Sequence, residues 1–155
     1  MAGHFLRECL QAPAAPWTIC NVTTGATLAT SVLPAFDRLT RKRGLLGLER
    51  LDTGAAMILA PCAGVHTWFM HFPIDILFVS RQGDVLKVRR GVDPWRLAVR
   101  LGAFAVIELA AATSVGTDPG HRLALVPNVD AHRMSRLRRP AFDSRDESGP
   151  SRSVV

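Results

Sequence analysis

Two acidic side chains lie inside otherwise apolar segments of the sequence. Asp75 is part of PIDILFV, and Glu108 is part of AVIELA. In an extended chain alternate side chains point to opposite faces, so each acid shares a face with apolar residues. A bare buried carboxylate is costly, and each acid therefore needs hydrogen-bond donors or a chemical task.

These two acids allow two interpretations. Paired carboxylates can act as general acid and base, as in glycoside hydrolysis. Alternatively, Asp75 and Glu108 are structural anchors that accept hydrogen bonds from backbone N–H groups or from an arginine. We favour the anchors, because the sequence gives no evidence that the acids approach each other. Arg43, at the end of a predicted helix, is the preferred partner and third anchor, since arginine keeps its charge when buried.

Two histidines precede Asp75 with the spacing H-x4-H-x3-D. Zinc and non-haem iron sites use these residue types. On an extended chain His71 shares a face with Asp75 while His66 points away, so we expect no metal site. A small hydrolase or lyase using Asp75 with His66 or His71 remains an alternative. The sequence has no Walker-type loop, GxGxxG or GxSxG motif, so we expect no cofactor and assign no catalytic residue.

The segment between His66 and Phe72 is rich in aromatic side chains and could close over one end of the fold. Ligands bind in concave, aromatic-lined places that contain a few polar groups. The candidate ligand-binding residues are His66, Thr67, Trp68, Met70, His71, Asp75 and Glu108. The favoured function is therefore a non-catalytic module that binds an unknown small molecule or protein.

Short apolar and β-branched segments, separated by turn residues, predict seven or more strands. Gly83 in RQG and Gly120 in DPG can reverse the chain. Only PAFDRLTRKRGLLGLERL has near-helical spacing, which predicts one short helix at about 35–46. A second helix is possible at 94–102. The pattern favours a mainly β fold, a compact antiparallel sandwich or barrel.

The chain length of 155 residues is typical of one domain. Residues 1–16 end in APAAP, which predicts a flexible N-terminal segment. Residues 17–127 form the predicted β-rich domain. Residues 128–155 contain Ser, Arg, Asp and Pro with few apolar anchors, which predicts a disordered or loosely docked basic tail.

The formal net charge is +6, and the basic residues form two clusters in the sequence. No known nucleic-acid motif accompanies them, so we do not expect a nucleic-acid partner. Alternatively, this protein is an accessory protein of the cell envelope or of a secretion apparatus that docks through its basic face. The clusters are Arg38, Arg41, Lys42 and Arg43, and then Arg89, Arg90, Arg96 and Arg100.

Several features predict a cytoplasmic location. The N-terminus has no uninterrupted apolar core of signal-peptide length, and no apolar stretch approaches the roughly 18 residues of a membrane span. The three cysteines are an odd number without a CxxC pair, which is typical of reduced thiols.

Five segments resemble a known bacterial and archaeal family when taken in order. They are RKRGLLGLERL, GAAMILAPC, GVHTWFMHFPIDILFVSRQGDVLKV, AVIELAAATS and GTDPGHRLAL. Over about residues 25–126 the chain resembles domain of unknown function 192, also called uncharacterised protein family 0127. The resemblance implies a mostly antiparallel β-sandwich or barrel with a short helix. It implies no activity, substrate or catalytic residue.

The chain departs from the usual pattern of this family at the end of the predicted helix. Relatives have Gly-Leu-Met followed shortly by an arginine. Gly44, Leu45 and Leu46 keep this frame, but Leu48 stands where the arginine is usual. Any role of that arginine would pass to Arg43 or Arg50.

Overall fold

The computed structural model describes residues 4–128, which form three β-sheets and two short helices. The mainly β fold is confirmed, and the sheets do not close into a barrel in this part of the chain. The elements are α1 (Arg7–Gln11), β1 (Trp17–Asn21), β2 (Ala26–Ala29), β3 (Ser31–Ala35), α2 (Arg38–Arg43), β4 (Ala55–Leu59), β5 (Gly64–His66), β6 (Ile74–Val79), β7 (Val85–Val92), β8 (Leu97–Val99), β9 (Ala105–Ala110) and β10 (Leu123–Pro127).

The largest sheet has the strand order β3-β4-β9-β6-β7. Its strands are antiparallel except for the parallel pair of β3 and β4. Every residue of β6 and β9 is buried, so both faces of the sheet centre are covered. The apolar cluster on one face contains Leu77 and Ile107, and the cluster on the other contains Ile76 and Val106. Removing these side chains from water supplies the main driving force for folding.

Helix α2 lies inside the predicted range of about 35–46 and is shorter than that range. The Asp37 side chain caps its N-terminus by accepting hydrogen bonds from the backbone N–H groups of Leu39 and Thr40. These hydrogen bonds hold the pKa of Asp37 below its usual value. Gly44, with φ of 49°, ends the helix.

One segment differs from the prediction. Residues 94–102 contain strand β8, which pairs with β5, in place of the possible second helix. Residues 4–16 contain α1, and the side chains of Leu6 and Cys9 are fully buried in the core. The tail predicted for 128–155 lies, apart from Asn128, outside the described residues. No helix within residues 4–128 has both the length and the apolar character of a membrane span.

The turn between β6 and β7 also holds the N-terminal segment and β10. Gly83 has φ of 91°, and its carbonyl accepts a hydrogen bond from the Leu123 N–H. The Phe5 N–H donates to the carbonyl of Arg81 in the same turn. A Cβ atom at Gly83 would lie 2.6 Å from the Leu123 carbonyl oxygen and 2.9 Å from Phe5 Cδ2. Only glycine fits at position 83, because the backbone has a positive φ and because the turn has no room for a Cβ atom.

We expect Gly83→Ala to lower the free energy of unfolding by about 2–4 kcal/mol, through backbone strain and overpacking together. The matched control is Gly25→Ala, because Gly25 has φ of 78° and open space around its missing side chain. This control should cost only about 1 kcal/mol. Urea unfolding measures both values, and equal losses in the two variants would contradict the close contact at Gly83.

Candidate functional site

The pairing of β6 with β9 places the two acids on opposite faces of the largest sheet. Asp75 lies opposite Leu109, and Glu108 lies opposite Ile76. Paired residues share a face and successive residues alternate, so Asp75 and Glu108 point in opposite directions. The two carboxyl groups therefore cannot act as an acid and base pair on one substrate.

Asp75 lies at a bulge between β6 and β7, where two residues of β7 oppose one of β6. Ile74 pairs with Val92 and Ile76 with Arg89, so the chain has one extra residue opposite Asp75. The bulge leaves the Gly91 N–H outside the regular ladder. Asp75 Oδ1 accepts a hydrogen bond from this N–H at 2.8 Å. The carboxylate thus stabilises the irregularity beside it.

The other oxygen of Asp75 binds the loop that follows β9. Asp75 Oδ2 accepts from the Ser114 backbone N–H at 2.9 Å and from Ser114 Oγ at 2.7 Å. Arg90 fixes the same loop from outside, donating to the Thr117 carbonyl and to Asp118 Oδ1. Asp75 is completely buried, and these donors compensate the loss of water. This is the geometry expected of a structural anchor.

Arg43 does not have the position expected of a partner for these acids. It is exposed, and no ion pair within residues 4–128 joins it to Asp75 or Glu108. Asp75 binds backbone and serine donors, and Arg43 lines the same cavity as Glu108 without forming an ion pair with it. The ion pairs of residues 4–128 therefore include none between Arg43 and either acid.

Glu108 is buried without a hydrogen-bond donor. Only 3% of the residue is exposed, and Oε2 has no partner in the described part of the chain. Burial removes the carboxyl group from water and raises the pKa of Glu108 to about 7. At neutral pH this side chain is therefore divided between its acid and carboxylate forms. Glu108 does not have the donors that a structural anchor needs.

Glu108 lines a cavity of about 290 Å³. One wall is the end of α2 with the following turn, and the other is formed by β5 and Met70. Leu45, Leu59 and Val65 make much of the lining apolar. A cavity of about 380 Å³ beside α1 and another of about 260 Å³ beside α2 contain no comparable buried, unpartnered polar atom. The cavity at Glu108 is therefore the strongest candidate for a ligand site.

Three cationic side chains from α2 line the same cavity: Arg41, Lys42 and Arg43. Arg41 is held in place, since its guanidinium group donates to the carbonyl oxygens of Phe36 and Ala60. Lys42 and Arg43 are exposed, and neither forms an ion pair within residues 4–128. The cavity thus has a buried carboxyl group and cations at its exposed side.

Cys62 also lines the cavity and was not among the sequence candidates. Its thiol donates to the Gly64 carbonyl at 3.2 Å. Burial raises the pKa of Cys62, and the charge of Glu108 raises it further. The thiol is therefore weakly nucleophilic and contributes mainly a polarisable wall. Sequence alone could not identify it, because a lone cysteine after a proline has no distinctive pattern.

The candidate loop residues occupy three environments. His66 and Met70 line the cavity with Glu108. Thr67 is buried and bonds backbone groups, donating to the Asp93 carbonyl at 2.7 Å. Trp68 and His71 are exposed, and the Trp68 ring stacks on His66 at a centroid distance of 4.7 Å. Within residues 4–128, no group of three or more His, Cys, Asp and Glu side chains is arranged to hold a metal ion.

This arrangement defines a small, mainly β protein in which a cavity adjoins a buried carboxyl group. The family profile of DUF192, described as "Uncharacterized ACR", matches residues 20–125. The chain therefore belongs to the DUF192 family, as its sequence motifs indicated. No curated protein matches the chain.

Two crystal structures are similar in fold. One is a candidate transcription regulator from Sinorhizobium meliloti 1021, with 21% identity and a TM-score of 0.62 over 70% of this chain and 91% of that chain. The other is a protein of unknown function from Novosphingobium aromaticivorans DSM 12444, with 22% identity and a TM-score of 0.61 over 70% and 82%. At 21% and 22% identity, these similarities show a shared fold and nothing more.

We expect Asp75→Ala to lower the free energy of unfolding by at least about 3 kcal/mol, because it leaves three donors without an acceptor, two of them on buried Ser114. The control is Asp52→Ala, which removes an exposed ion pair with Arg50 and should cost less than about 1 kcal/mol. Urea unfolding at neutral pH measures both changes. Similar stabilities for Asp75→Ala and wild type would contradict the anchoring role.

Glu108 should make stability depend on pH. Its folded pKa of about 7 lies above the reference value of 4.5, so the folded protein binds the proton more tightly. The contribution of Glu108 to the free energy of unfolding is then greatest below pH 4.5 and falls as the pH rises towards 7, by roughly 3 kcal/mol. Glu108→Gln should abolish this slope. Urea unfolding across the pH range tests it, and parallel pH profiles for the two proteins would exclude Glu108 as the cause.

Proposed function

We propose that this protein is a non-catalytic module that binds a small amphoteric molecule, one carrying an amine and an acidic group. The amine would enter the cavity and donate hydrogen bonds to Glu108. The acidic group would remain near Lys42 and Arg43. The observation that carries the proposal is the buried Oε2 atom of Glu108, which has no donor within residues 4–128.

The charge distribution supports this choice of ligand. A carboxyl group whose pKa is raised by burial gains most from a cationic donor, which replaces the missing water. Charge-assisted hydrogen bonds of this kind are stronger than neutral ones. The two cations at the exposed side favour an anionic group at the opposite end of the ligand. A volume of about 290 Å³ is near the lower limit for ligand pockets, which favours a small molecule.

Other functions have less support. In a hydrolase or lyase that uses Asp75 with His66 or His71, both oxygens of Asp75 would first have to release Gly91 and Ser114. A cytoplasmic location is part of our proposal, and the free thiols of Cys9, Cys20 and Cys62 support it. Docking as an accessory protein of the envelope or of a secretion apparatus involves a different surface from this cavity.

The test compares amphoteric compounds with analogues that lack the amine. The first set is glycine, β-alanine, γ-aminobutyrate and phosphoethanolamine, and the second is acetate, propionate, butyrate and ethyl phosphate. We expect at least one amphoteric compound to shift the NMR signals of cavity residues and to lower the pKa of Glu108. Its affinity should rise as the pH increases through 7, because the carboxylate is the form that binds an amine.

Two variants provide the controls. Glu108→Gln should weaken binding at least about tenfold by removing a charged acceptor. Glu49→Gln, at an exposed acid outside the lining of the cavity, should leave the affinity unchanged. Equal binding of the desamino analogues, or the absence of cavity shifts with both sets, would contradict the proposal.

A further inference from the structure

A group of large apolar side chains is exposed beside the two-stranded sheet of β5 and β8. The exposed fractions of Phe69, Trp95 and Leu101 are 64%, 56% and 78%. The rings of Phe69 and Trp95 contact each other at a centroid distance of 4.7 Å. Contiguous exposed apolar side chains mark interaction surfaces. This aromatic patch comprises Trp68, Phe69, Trp95, Leu97, Val99 and Leu101.

The two loops that contain Phe69 and Trp95 hold these residues in a strained backbone conformation. Phe69 and Trp95 have φ of 63° and 64°, in the left-handed region that L-residues with a side chain rarely adopt. Thr67 ties the loops together, since its Oγ1 accepts from the Arg96 N–H at 2.9 Å and its carbonyl accepts from the Trp95 N–H at 2.9 Å. The chain thus tolerates strain to hold two aromatic rings in solvent, which indicates a functional constraint.

The patch is bordered by cations. Arg96 and Arg100 donate to the carbonyl oxygens of Trp95 and Leu101, and Lys87 Nζ donates to the Val99 carbonyl at 3.1 Å. None of these three cations forms an ion pair within residues 4–128. Asp93 is the only acidic residue between positions 85 and 107 of the sequence. The patch is therefore apolar and cationic, and its complement is an anionic surface that accepts apolar side chains.

We propose that the aromatic patch docks the protein on an anionic lipid surface. Tryptophan favours the headgroup level of a bilayer, and arginine or lysine beside it is attracted to anionic lipids. The three cavities described above are not lined by Phe69, Trp95 or Leu101. These side chains project from loops and from a short sheet, which suits insertion into a planar surface better than capture of a peptide.

The test is sedimentation of the full chain with vesicles of phosphatidylcholine alone or of phosphatidylcholine mixed equally with phosphatidylglycerol. The protein should sediment only with the anionic vesicles, and added salt should release it. The double variant Phe69→Ala, Trp95→Ala should lose at least roughly tenfold in partitioning. Arg96→Gln with Arg100→Gln should lose roughly fivefold for each arginine. The exposed tryptophans should shift their emission to the blue, whereas Trp17 is already buried.

Matched variants separate local docking from general charge attraction. Arg7→Gln with Arg50→Gln removes the same charge at exposed positions outside the patch and should change partitioning by less than about twofold. An equal loss in this control and in the patch variant would overturn the proposal. So would unchanged binding of the aromatic double variant, or the absence of sedimentation. Patch-dependent binding to polyglutamate without binding to vesicles would indicate an acidic protein partner and would also overturn it.

Discussion

The pairing of β6 with β9 is the constraint on which the rest of this structure depends. It places Asp75 against Leu109 and Glu108 against Ile76, so each acid faces a different apolar cluster. On one face three donors surround the carboxylate, and on the other face the carboxyl group lies beside a cavity. The two acids have similar sequence surroundings but different environments. Asp75 accepts three hydrogen bonds, whereas Oε2 of Glu108 has no donor within residues 4–128.

This difference indicates that Asp75 contributes to stability and that Glu108 is the candidate for a functional role. The hydrogen bonds of Asp75 stabilise a bulge and a loop, so the side chain is explained by the fold that it supports. Glu108 has no such explanation, because a leucine or methionine there would avoid the cost of burying a carboxyl group. Polar groups that the fold does not need, and whose pKa is strongly shifted by burial, are concentrated at functional sites. The unsatisfied acid is therefore a stronger indication of a binding site than the satisfied one.

Much of the fold could be predicted from sequence, because β4, β6 and β9 of the largest sheet are short, mainly apolar segments separated by turn-forming residues. The short strand β8 could not, since LAV has only three residues and depends on pairing with β5 for its conformation. The candidate site was predicted only in part. Glu108, His66 and Met70 were recognised, but the roles of Arg43 and Cys62 depend on the gap between α2 and β5. A gap of this kind has no local sequence pattern.

His66 connects the two proposed sites physically. Its side chain lines the cavity, and its ring stacks on Trp68 of the aromatic patch. It also lies opposite Leu97 in the pairing of β5 with β8. If a bound surface displaced the Trp68 ring, the stacked His66 ring in the cavity wall would have to adjust. Any coupling of this kind would be reciprocal in free energy, so a ligand at Glu108 and a surface at the patch would change each other's affinity by the same factor. Thr67, between His66 and Trp68 in the sequence, is buried and bonds the backbone of Asp93 and Arg96, so the link between the two sites runs through an anchored residue.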